Sequence, residues 1–143
     1  MRTTIITMAL AAVVTLAGAA ETQYGPALEV KLVAIDTGHM PAPSEASVLR
    51  AAAAVRAAEM RCSVKGEKLA GQALVVAQQV QKLGQVASSV EILEGLDAML
   101  VDFKKPQDCA QVLASYAVFR RDGYTHSRAV VMGRAMFKFN AEH

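Results

Sequence analysis

The sequence has no tryptophan, and Phe and Tyr together make up only 5% of its 143 residues. A core without large aromatics has to be filled by Ala, Val, Leu and Met, which bury less area per side chain. Neither charge is in large surplus: 15 Lys and Arg against 13 Asp and Glu give a formal charge of +2. That balance argues against a general nucleic-acid binder and against a polybasic membrane-surface protein. Histidine is scarce too, and His39, His126 and His143 share no metal-ligating spacing. No Cys-x-x-Cys pair exists, so zinc-ribbon, thioredoxin-like and c-type haem readings lack their motifs. Phosphate loops, nucleophile elbows and dinucleotide or kinase fingerprints are also missing. No metal and no cofactor is expected.

What the sequence does have begins at its first residues, "MRTTIITMALAAVVTLAGAA". Arg2 precedes an uncharged apolar run from Ile5 to Leu16, and the small residues Ala17 to Ala20 follow. This is the pattern of a cleavable secretory signal peptide over residues 1–20. The apolar run is short for a bilayer span, so no stable membrane span is expected after cleavage. The expected location is therefore the periplasm or the outside of the cell. All 13 acidic residues and all but one of the Lys and Arg lie after residue 20.

Export changes the meaning of the two cysteines, Cys62 and Cys109. In an oxidising compartment an even count reads as a bridge. The alternative is a reactive Cys109 near a helix N-terminus with His126 as its base. Cys109 falls on the same helical stripe as Val112, Leu113 and Tyr116, where a buried bridge would sit, so the disulfide is the expected state.

Residues 21–43 hold Pro26, Pro41 and Pro43 and an alternating stretch, Leu28-Glu29-Val30-Lys31-Leu32. The alternation predicts an extended arm or a short lone strand. Residues 44–143 read as a single all-α domain. Ser44 is placed to cap an Ala-rich helix from Ala46 to about Cys62. A second helix, Glu67 to Ala87, carries a heptad-like seam of Leu69, Ala73, Val76, Val80, Leu83 and Ala87. Ser88 and Glu91 form a capping box for a third helix with Ile92, Leu93, Leu96, Met99, Leu100 and Phe103 on one face. A fourth helix runs from about Gln107 to Arg121, with Gly123 as its terminator. Thr125 opens a fifth, from His126 to about Phe139. The expectation is a bundle of about five helices in two packed hairpins.

The chemistry these residues carry is sparse. Glu91, Glu94, Asp97 and Asp102 read as a solvated acidic face rather than a glycosidase pair. Arg120, Arg121, Arg128, Arg134 and Lys138 outnumber Asp122 and Glu142 near the C-terminus. Arg120, Arg121, His126 and Arg128 cluster around the last turn as a candidate partner-contact surface. The sequence thus predicts a small exported, disulfide-stabilised helical protein that binds a protein or ligand and does not catalyse. A homodimer or a complex with a partner protein is expected if part of the Leu69–Leu83 seam stays exposed. One alternative is a small exported hydrolase using scattered carboxylates and His126. Another is a structural or chaperone-like envelope protein.

Overall fold

The computed structural model describes residues 26–143. The expected signal segment, residues 1–20, lies outside the described residues. The described chain forms α1 (Leu28–Thr37), α2 (Ala46–Arg61), α3 (Gly66–Lys82), α4 (Ser89–Leu100), α5 (Cys109–Arg121) and α6 (His126–Glu142). The domain is all-α, and none of these helices is long and apolar enough to cross a membrane.

Of the expected extended arm, residues 21–25 lie outside the described residues, and Leu28–Thr37 forms helix α1 instead. Its buried residues are Val30, Leu32 and Val33, a set that does not alternate. A lone strand would leave its backbone groups unpaired, whereas a helix pairs its own. Tertiary contact then fixes the helix. The Asp36 carboxylate accepts hydrogen bonds from Ser89 N (2.9 Å), Ser89 Oγ (2.8 Å) and Val90 N (3.3 Å). It thereby serves orphan N–H groups at the start of α4. Gly38, at φ 78°, ends α1 in the left-handed region.

Long-range packing centres on one helix. The most extensive helix–helix contact is between α2 and α4, and α4 also packs on α1, α3, α5 and α6. α4 is the central helix, with Ile92, Leu93, Leu96, Met99 and Leu100 essentially inaccessible. Two glycines let α6 approach it closely. Gly95 faces Val130 and the His126 ring, and a Cβ at Gly133 would run into the Met99 sulfur. Each helix thus presents a glycine to a larger side chain of the other.

Several boundaries follow the sequence signals and others do not. Ser88 Oγ accepts from Glu91 N (3.1 Å), and Thr125 Oγ1 from Arg128 N (3.3 Å). Ser44 does not cap α2; Glu45 occupies that position, and its side chain accepts from Ala42 N instead. α3 stops at Lys82 because Gly84 takes φ 78°, so Leu83 and Ala87 fall outside the helix. Pulling Leu83 and Gln85 out of the helix turns out to matter for what lies beside α5.

Candidate functional site

Two places collect the residues that could carry function: the turn between α5 and α6, and the space between α3 and α5.

At the turn, the structure separates the four candidate residues. Arg121 and Arg128 are exposed; Arg121 lies 3.4 Å from Asp122, and Arg128 stacks over the Tyr124 ring at 5.0 Å. Arg120 is not on the surface at all, being 4% exposed. Its guanidinium donates to Gln85 Oε1 (3.0 Å), Val86 O (3.0 Å) and Tyr116 Oη (2.7 Å). Gln85 Nε2 returns a bond to Arg120 O (2.8 Å). The early stop of α3 is the physical reason for this burial: it frees the Val86 carbonyl from helical pairing and swings the Gln85 side chain toward α5. Arg120 therefore ties the end of α3 to the end of α5.

His126 is half-buried and continues this network. Arginine only donates, so Tyr116 Oη accepts from Arg120 and spends its single hydrogen on His126 Nδ1, 2.8 Å away. The neutral His126 ring then carries its proton on Nε2. Burial holds its pKa below the usual imidazole value, with Arg120 reinforcing the shift and Glu91 and Glu94 opposing it. Burial pushes the Tyr116 phenol up, against the Arg120 hydrogen bond. His126 shares a depression of about 330 Å³ with Glu94, Gly95, Ala98, Ser127 and Val130.

Three carboxylates on or just past α4 are committed elsewhere. Glu94 takes a bidentate pair from Arg50 (2.7 and 2.6 Å), which raises the Arg50 pKa. Asp97 pairs with Arg61 at 2.8 Å. Asp102 pairs with Arg134 at 2.9 Å, and that hydrogen bond lowers the Asp102 pKa. These pairs lace α4 and the turn that follows it to α2 and α6. Among the described residues no three His, Cys, Asp or Glu side chains are grouped to hold a metal ion.

The second place is a groove. Cys62 and Cys109 are joined by a disulfide, both sulfurs fully buried, with Cα atoms 5.5 Å apart. Backbone pairing reinforces it: Gln107 N donates to Arg61 O (2.7 Å), and Ser63 N to Gln107 O (2.9 Å). Cys62 lies just before α3, and Cys109 opens α5. The two helices thus start from one fixed point and run side by side in the same direction to the Arg120 hub. Between these two clamps their facing surfaces do not close. A cleft of about 580 Å³ is lined by Lys68, Gly71, Gln72, Val75, Val76 and Gln79 of α3 and by Ala110, Leu113, Ala114 and Ala117 of α5. A smaller one, about 260 Å³, shares Gln79 and Ala117 and continues to Leu83, Val118 and Arg121.

The groove stays open because its floor residues are small. Ala110, Ala114 and Ala117 recur at steps of four and three on α5, and a Cβ at Gly71 would meet nothing within 4 Å. Val75 is 53% exposed and Leu83 48%. The sequence seam on α3 is otherwise consumed internally: Leu69, Ala73, Val76 and Val80 are buried in the domain's own core. The Ala stripe on α5 was the signal that sequence reasoning passed over.

No protein-family model matches the chain, and neither a curated protein nor a solved structure matches it. The geometry of the groove and of the turn therefore carries the functional reading alone.

Proposed function

We propose that this chain is exported through its N-terminal segment and works by binding an apolar partner surface between α3 and α5, not by catalysis. One observation carries the reading: an apolar groove whose two walls are locked at both ends yet unfilled between them. An open apolar groove of that kind leaves contiguous apolar surface in water unless a partner covers it. The disulfide then has a role beyond stability, because it sets the separation of the groove walls. Export supplies the oxidising compartment in which that bridge forms.

The hydrolase alternative finds Glu94 and His126 on one depression, but each is held by a different partner, Arg50 and Tyr116. Binding is tested with an apolar fluorescent dye on the oxidised protein. Wild type is expected to enhance dye emission, and Gly71→Leu, which fills the groove, to abolish most of it. Equal emission from the two proteins contradicts the groove as a binding surface. Export is tested by the mass of the protein recovered outside the cytoplasm, which should lack residues 1–19 or 1–20.

A further inference from the structure

We propose that the occupant of the α3/α5 groove is one amphipathic helix of a partner protein, apolar on the side that enters and acidic along its flanks. This rests on the groove reading above and adds the identity of the occupant. The groove follows α3 from Lys68 to its end at Lys82, which at 1.5 Å per residue is about 21 Å, close to four helical turns. It is open along that length, with Ala110 and Ala114 of its floor exposed. A small ligand usually has about 70–90% of its surface buried, and an alkyl chain lying in an open trough would not. A helix is broad enough to cover the trough while turning its own polar face to water. Small floor residues suit a close helix approach, as at glycine-bearing helix contacts elsewhere in this domain.

Charge selects the flanks. Lys68 stands at one end of the groove and Arg121, loosely paired with Asp122 at 3.4 Å, at the other, and no acidic residue lines it. Lys68 has no carboxylate partner among the described residues, while neighbouring Glu67 is taken by Lys31 at 3.1 Å. The N-terminal ends of α3 and α5 lie together at the Lys68 end, which adds positive potential there. A second copy of this chain docking groove to groove would set cation against cation whichever way the two ran, so the partner is a different, acidic helix. Gln72 contributes one further hint. Its side-chain oxygen is buried without a hydrogen-bond donor, a cost that a docking helix can relieve once the amide turns toward it.

The test uses the oxidised protein and two labelled 18-residue peptides with the same Leu/Ala stripe, one flanked by Glu and one by Lys. Fluorescence anisotropy is expected to show the Glu peptide binding at least ten times more tightly, with affinity falling as salt rises. Lys68→Gln should narrow that gap, and Gly71→Leu should abolish binding of the Glu peptide. Gly71 is helical with open space at its Cβ, so this variant should fold, and its melting curve verifies that. Equal binding of both peptides, blocked by Gly71→Leu, overturns the acidic helix and leaves the groove. Binding of palmitate but neither peptide, again blocked by Gly71→Leu, makes the occupant an alkyl chain and overturns the proposal. A wild-type dimer that Gly71→Leu dissociates assigns the groove to a second copy, with the same consequence. Peptide binding that Gly71→Leu leaves untouched removes the groove itself.

Discussion

Replacing Arg120 should destabilise the fold, although its neighbours Arg121 and Asp122 are exposed and loosely paired. Arg120→Met keeps most of the side-chain volume and removes only the guanidinium. Three hydrogen bonds disappear, to Gln85, Val86 and Tyr116. Charged hydrogen bonds contribute about 1.5–3 kcal/mol each, but two of these acceptors can recover water. Gln85 is half-buried and Val86 is exposed, whereas Tyr116 is 1% exposed. Burying a cation with only neutral partners also carries a desolvation penalty that the substitution relieves. The net loss should therefore be about 2 kcal/mol for Arg120→Met, and about 4 kcal/mol for Arg120→Ala, which adds a cavity. Urea unfolding followed by circular dichroism measures both, and an unchanged m-value would show that the native and denatured states keep their compactness. Arg121→Met serves as the control and should stay within about 0.5 kcal/mol of wild type. If Arg120→Met behaves like that control, the clamp at this end of the groove does not exist.

Mild acid is expected to weaken the fold. His126 sits below its usual value of 6.5 when folded, so the unfolded chain binds more protons as pH falls. Stability is complete above 6.5 and is lost as pH drops through the lower folded value, with Tyr116 and Arg120 of α5 and Glu91 and Glu94 of α4 facing the ring. Urea midpoints for wild type and His126→Gln across this range should show a smaller acid loss in the variant. Gly133→Ala should cost about 1–3 kcal/mol by overpacking against Met99, and Met99→Ala in the same chain should recover part of the α4–α6 fit. Removing the bridge with Cys62→Ser and Cys109→Ser should cost about 4 kcal/mol from the 47-residue loop it closes. Asp36→Ala should cost about 1–2 kcal/mol by stripping the start of α4 of its acceptor, read from hydrogen exchange at Ser89 and Val90.

The helices and the bridge were legible in the sequence because their signals are local or compositional. Ser88, Thr125 and Gly123 act within one turn of themselves, and two cysteines allow a single intramolecular pairing. Leu28–Leu32 misled because five alternating residues fit a strand as well as a helix, and the deciding contact, Asp36 to Ser89, spans 53 residues of sequence. Arg120 misled for a similar reason. Arginine is usually exposed, and nothing local says that Gln85 and Val86 will come to meet it. The groove was the least legible feature. It exists because α3 and α5 lie side by side across an intervening helix, and because a stripe of alanines is as consistent with tight packing as with a gap.

The most direct measurement is amide NMR of the ¹⁵N-labelled, oxidised protein titrated with the Glu-flanked peptide. A binding groove predicts shift changes concentrated in residues 68–83 and 110–121, absent in Gly71→Leu and lost when the bridge is reduced. Changes centred instead on the Arg121–Arg128 turn, or on the Glu94 and His126 depression, would contradict it.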